Sequence, residues 1–428
     1  MLVSSIFNIL FCAGLEWARL DYRAKATIRS LKNVQFMEGS KEAGHVPDHT
    51  AKKVSCNHTD GGDCDEVKLI SFLRRAGLFP QKNETANISS HISLKSLECG
   101  YCNKVYHVEL LSKNYVAKIY SDVAKERMLK SANPADVLLS YKSLGPNVLY
   151  CDEDGILMNF VDGATLNASD VHGDTSSSFG NGTELCRAIA RKVAALHAIG
   201  PQPEFNSLFQ ENMLWFSLER MMSYILRKNA CLAFARATGI DEWPFQRLSD
   251  EIHEMRNSIE VLNLPQVFGH GDLKPSNIMC SGNLSKDESS SMNNSFDDTV
   301  NQIFLIDFEM AGLIYRGFDL YKLFRTNQFT KYTDENMRAF AESYLIYFEQ
   351  ELPRLEGENI EASTVLQLES KVFKPLTWLE AGVFFLFLYA EDQQECWAQL
   401  ALSRLRCYEQ SKVSFDADIN KYISAMDI

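Results

Sequence analysis

The sequence predicts an α+β protein of two lobes, a small antiparallel sheet followed by a larger, mainly helical lobe. Three observations carry this. Strand-like runs crowd between His91 and Val161, and helix-period segments fill most of the chain after Thr183. Within the second half, Val267–Met279 and Gln302–Ile306 are apolar runs that deliver Asp272, Asn277 and Asp307 onto loops. A chain of 428 residues with 46% apolar content has enough material for more than one core.

Taken in order, Met1–Gly14 is apolar but lacks a positive start, and Glu16 and Arg19 end it too early for a bilayer span. Residues 34–66 show neither helical nor strand period, so 1–67 reads as a helix and flexible leader. Val67–Leu78 places Leu69, Phe72, Leu73 and Ala76 on one helical face. The small lobe, 68–162, then holds strands at Ser93–Leu97, Lys104–Leu111, Tyr115–Tyr120 and Gly155–Val161. One helical segment, Val123–Ser143, is broken near Asn133-Pro134.

The large lobe, 163–428, carries helices at Thr183–Ile199, Met213–Ala237, Asp250–Asn263, Asp334–Phe348 and Pro375–Glu409, with a short strand pair around the central loop. Two polar inserts, Ala168–Gly182 and Ser281–Asn301, read as loops, the second as a disordered one.

A net charge of −13 argues against nucleic acid or an anionic membrane surface as the main partner. Eleven cysteines without a repeating spacing suit free thiols in a reducing compartment, and the chain is expected to be cytoplasmic. Cys99-Gly100-Tyr101-Cys102 has no second pair nearby and is a poor zinc motif.

The chemistry lies in His270-Gly271-Asp272 with Asn277 five residues on, followed by Asp307-Phe308-Glu309. These match, in order, the His-x-Asp-x-x-x-x-Asn and Asp-Phe-x motifs of kinases. Transfer of a phosphoryl group from ATP needs such a set. One carboxylate orients the attacking hydroxyl, and an Asn and a second Asp hold Mg2+ against the phosphates. Lys118, in a strand-like run, is either the lysine that reaches those phosphates or a solvent-facing strand residue, and neither Glu126 nor Asp136 is singled out as its partner. Gly100 opens either a phosphate-approaching turn or an ordinary hairpin. Asn159, Phe160 and Val161 form either a hinge offering backbone groups to adenine or the end of a strand.

From here the chain resembles a family. Ile306-Asp307-Phe308-Glu309 followed by Tyr315-Arg316-Gly317-Phe318-Asp319-Leu320 is similar to the choline/ethanolamine kinase signature. Gly100-Tyr101-Cys102-Asn103-Lys104 and Leu144-Gly145-Pro146-Asn147-Val148-Leu149-Tyr150 resemble two further runs of that family. The resemblance, from His91 to Tyr408, implies a protein-kinase-like fold, ATP with Mg2+, and transfer to the hydroxyl of a small amino alcohol for phospholipid head-group synthesis. It implies Asp272 as base, Asn277 and Asp307 as metal ligands, and Asn103 beside the phosphates. Asp272, Glu309, Tyr315, Asp319 and Phe384 would make the acceptor side, and a homodimer is compatible with it.

The chain departs from the pattern at that acceptor side. Positions that carry Trp in the family read Ala381 and Phe384, an acidic position reads Thr326, and Lys322 and Arg325 stand nearby. Without a cage of aromatic faces, ethanolamine is expected ahead of choline. The rivals are an aminoglycoside-phosphotransferase-like kinase of another alcohol, a protein kinase, and a nucleotide-binding scaffold without activity. The protein kinase fits worst, because no Ala-Pro-Glu follows Asp307.

Overall fold

The computed structural model describes residues 64–78, 92–97, 102–127, 134–172, 182–281, 302–325, 333–348 and 362–426. The leader up to residue 63, Gly100, Thr326 and 282–301 of the second insert lie outside the described residues.

Helix α1 (Cys64–Arg75) precedes a five-stranded antiparallel sheet of order β1-β2-β3-β5-β4. Its strands are β1 (Ile92–Leu97), β2 (Lys104–Leu110), β3 (Lys113–Ile119), β4 (Val148–Asp152) and β5 (Gly155–Asn159). Strand period divides the two faces. Ala117, Ile119, Leu157 and Val108 turn outward and are sealed by Leu69, Phe72 and Leu73 of α1. Lys118 lies between Ala117 and Ile119, so it must point to the opposite face, where Ile156 is its cross-strand neighbour on β5. There Ile156 joins Cys151, Tyr120 and Ala124 in a separate small cluster. Strand β4 escapes the period reading because its burial does not alternate, and a register shift interrupts its pairing with β5. After the sheet's third strand come α2 (Asp122–Arg127) and α3 (Pro134–Tyr141), the second opening on Pro134; 128–133 lie outside the described residues.

The large lobe begins with β6 (Gly163–Thr165) and α4 (Ala168–His172). The first insert was expected to be loop throughout, yet its start is this short helix. Asp170, Val171 and His172 are buried, and the Asp170 carboxylate accepts the Asn167 N–H at 2.8 Å. Next come α5 (Gly182–His197), α6 (Met213–Arg227), α7 (Ala230–Thr238) and α8 (Phe245–Glu260). After the loop-bearing strands come α9 (Arg316–Phe324), α10 (Thr333–Tyr347), α11 (Ala362–Val372), α12 (Lys374–Asp392), α13 (Glu395–Lys412) and α14 (Phe415–Met426).

Two expected helices are each two. Met213–Ala237 breaks at Asn229, φ 52°, and Pro375–Glu409 breaks at Gln393, φ 53°, where α12 folds back against α13. A left-handed residue ends a helix because the next amides can no longer reach back along it. Glycine signals this in a sequence and Gln does not. The stretch Ala362–Asp392 is apolar and long enough to cross a bilayer, but most of it is buried inside the protein. It is a core segment surrounded by other helices. Helix α9 was not expected, because Arg316 to Phe324 are all buried and leave no polar face to set a period.

Candidate functional site

Strand β7 (Gln266–Gly269) pairs antiparallel with β10 (Gly312–Tyr315). Strand β8 (Ile278–Ser281) pairs with both β6 and β9 (Ile303–Leu305). One loop therefore runs from β7 to β8 with Asp272 and Asn277, and another from β9 to β10 with Asp307 and Glu309. Their backbones are tied, since Ile306 N–H donates to the Asn277 carbonyl at 3.0 Å and His270 Nε2 lies 2.9 Å from the Ile306 carbonyl.

The first loop is held from behind. Asp319 on α9 is fully buried, and its carboxylate accepts His270 N–H at 2.6 Å and Gly271 N–H at 2.9 Å, with His197 Nε2 at 3.3 Å. Gly271 has φ +74°, and a Cβ there would run into the Met310 carbonyl of the second loop. Asp319 was expected on the acceptor side. It is instead the anchor of the loop, because both its oxygens are engaged by backbone amides.

In front of that anchor, Asp272 accepts Lys274 Nζ at 2.8 Å and Asn277 Nδ2 at 3.1 Å on one oxygen, and Lys322 Nζ at 2.8 Å on the other. Burial would raise the Asp272 carboxyl, but Lys274, Lys322 and Arg127 together hold it well below the usual range. Asn277 directs Nδ2 to Asp272 and leaves its amide oxygen for a cation. Asp307 adopts a left-handed backbone, φ 69°, ψ 58°, which turns it toward the small lobe. There it pairs with Lys118, and its side chain keeps 38% exposure, against 16% for Asp272. Burial alone would raise the Asp307 carboxyl; Lys118 outweighs it and brings it down to about 2.

Glu309 was expected to face the acceptor. It is half-buried, pairs with Lys118 and accepts Asn103 Nδ2, so it lies beside the strand lysine of the small lobe. The partners of Lys118 are thus Asp307 and Glu309. Of the two residues considered from sequence, Glu126 pairs with Arg227 at 2.7 Å on the surface. Asp136 is buried near Lys118, and burial pushes its carboxyl up to about 7 in spite of that lysine. Asn103 also accepts Ser121 N–H at 3.1 Å, which fixes the loop before β2.

Other expected site residues lie elsewhere. Tyr315 is 3% exposed, packs on Phe373 and lies 3.4 Å from Trp215 Nε1 through its hydroxyl, so it is a core residue. At the hinge, Asn159 N–H donates to the Asn147 carbonyl at 2.9 Å and Phe160 N–H to Asn114 at 3.3 Å. Those two amides are therefore engaged within the small lobe. Phe384 is partly buried against the large-lobe core, and the Arg127 guanidinium lies 4.6 Å from its ring centroid.

Sequence reasoning missed Arg127, which lies 3.5 Å from Glu380. It also left open where Lys322 points. Lys322 reaches Asp272 and Glu380, whereas Arg325 stacks 4.7 Å over Trp378. Helical spacing would have put Asp319 and Lys322 on one face of α9, had that helix been recognised. The arrangement as a whole presents the Asp272 carboxylate and Asn277 amide on one loop, the Asp307 carboxylate on the next and Lys118 of β3 opposite.

Residues 94–409 match the model of the family described as choline/ethanolamine kinase. Choline kinase alpha of Mus musculus is 25% identical over 241 residues, 52% of this chain and 47% of that protein. Ethanolamine kinase of Drosophila melanogaster is 21% identical over 328 residues, 73% of this chain and 57% of that one. The chain thus spans about half the length of these curated relatives. Among solved structures, a choline kinase from Cryptosporidium parvum superimposes with TM-score 0.56 at 18% identity, covering 85% of this chain and 100% of the other. Ethanolamine kinase of Plasmodium vivax gives TM-score 0.55 at 17% identity, with 85% and 98% covered. The fold is shared with both.

Proposed function

The chain belongs to the choline/ethanolamine kinase family, and from that premise we propose that it transfers the γ-phosphate of ATP to the hydroxyl of a small amino alcohol, ethanolamine ahead of choline. The observation that carries the transfer is the convergence of Asp272 and Asn277 from one loop with Asp307 from the next and Lys118 from β3. Asp272 orients the acceptor hydroxyl and takes its proton as the new ester bond forms. Its low proton affinity keeps it ionised throughout the physiological range, so orientation is its larger contribution.

Mg2+ fits this site, because the Asn277 amide oxygen and the Asp307 carboxylate are hard oxygen donors and such an ion takes most of its shell from phosphates and water. When bound it would neutralise charge on the phosphates. Lys118 is placed to neutralise more from the opposite wall, and Glu309 and Asn103 hold that lysine and its loop in place.

The acceptor preference rests on the aromatic faces. The Phe384 and Trp378 rings each carry a guanidinium, Arg127 and Arg325, and Ala381 is buried in α12. A trimethylammonium requires open ring faces, whereas a primary ammonium needs only hydrogen-bond acceptors. A cytoplasmic enzyme supplying phospholipid head groups suits this reading, since Cys102, Cys151, Cys186, Cys231, Cys280, Cys396 and Cys407 are free thiols. The test is kcat/KM for both alcohols on one preparation. We expect ethanolamine to exceed choline by about tenfold, equivalent to ~1.4 kcal/mol. Equal values, or a choline preference, would refute the acceptor assignment.

A further inference from the structure

Lys322 has 3% exposure, and its ammonium meets three acceptors: Asp272 Oδ1 at 2.8 Å, Glu380 Oε2 at 2.9 Å and the Gly271 carbonyl at 3.3 Å. An alkylammonium has three N–H donors, so the number of acceptors matches. The lysine stands one turn after Asp319 on α9. Asp319 binds the N–H groups of His270 and Gly271, and Lys322 binds the Gly271 carbonyl and the Asp272 side chain. One helix face therefore grips both the backbone of the loop and its working carboxylate. Glu380 continues the chain of contacts to Arg127 on α2, 3.5 Å away.

We propose that Lys322 is a positioning residue for phosphoryl transfer, its ammonium filling a primary-ammonium socket made by Asp272, Gly271 and Glu380. The proposal rests on the reading of Asp272 as the residue that orients the acceptor. Without the ammonium, the buried Glu380 and half-buried Asp272 carboxylates would face each other across its place and Asp272 would turn away. Because the socket is filled from within the chain, the amine of an acceptor must be held elsewhere.

The test is Lys322→Ala with added n-propylammonium, which replaces the missing end of the side chain. Phosphotransfer to ethanolamine by the variant should fall about 100-fold in kcat with KM for ATP within a few-fold of wild type. Millimolar propylammonium should restore kcat by about tenfold or more and raise the melting temperature of the variant but not of wild type. Tetramethylammonium and propanol should do neither. Unchanged kcat in the variant, or a loss with neither rescue nor a thermal shift, would overturn the proposal. Should Lys322→Ala not fold, Lys322→Gln takes its place: kcat lowered with KM for ATP intact supports the proposal, and unchanged kcat overturns it. If wild type transfers nothing to either amino alcohol, the functional reading fails, and the thermal shift still decides whether the socket exists.

Discussion

At the scale of residues, the carboxylates of the site differ in what surrounds them, and that decides their tasks. Asp319 accepts backbone N–H groups behind the loop, so Asp319→Asn would aim an NH2 at one of them. We expect that variant to lose about 2–3 kcal/mol in urea denaturation, the cost of an unpaired buried donor, with kcat lowered more than KM changes. Asp136 differs again, because burial raises it to about 7. In the unfolded chain it titrates near ~3.9. The folded form holds the proton more tightly, so stability is lost as pH rises from about 4 to 7 and is level beyond. Asp136→Asn removes that loss. Its stabilisation over wild type should be greater at pH 8 than at pH 5, by of order 2 kcal/mol, in parallel denaturation curves. A constant difference would place the Asp136 proton affinity at its ordinary value. Asp272 and Asn277 were legible in the sequence because one loop fixes their spacing, and Asp307 because it follows the apolar strand β9. Asp319 was legible as a special residue but not as an anchor, because only the fold shows which amides its oxygens meet.

At the scale of elements, hydrophobic period located the helices with one apolar face and failed where burial is complete. Helix α9 has no exposed side, and so no period to read. The breaks at Asn229 and Gln393 were hidden for another reason, since the sequence carries no glycine at either left-handed position. Gln393 pays a steric penalty for its Cβ that glycine would avoid. Gln393→Gly should therefore stabilise the chain by about 0.5–1 kcal/mol in urea, with kcat unchanged, because the α12–α13 turn touches no site residue named above. Destabilisation would mean that the turn's side-chain contacts outweigh its backbone strain.

For the whole molecule, the two-lobed α+β design was legible because strand period and helix period occupy different halves of the chain. What was not legible is how the lobes serve one site. The small sheet is closed on its outer face by α1, and that closure fixes Lys118 toward the cleft by strand alternation alone. Phe72 is fully buried in that outer layer. Phe72→Ala should cost about 3–5 kcal/mol and weaken ATP binding, although Phe72 lies on the face of the sheet away from Lys118. Calorimetric ATP affinity equal to wild type would show that the sheet keeps its shape without α1.

The most direct measurement is a comparison of wild type with Asp272→Asn under single-turnover conditions, with labelled ATP, Mg2+ and saturating ethanolamine. If Asp272 orients the hydroxyl on a framework that Asp319 and Lys322 hold, ATP affinity should stay within a few-fold. The rate of labelled phosphoethanolamine formation should fall by about 10² or more. A transfer rate equal to wild type would contradict the assignment of this loop as the catalytic one.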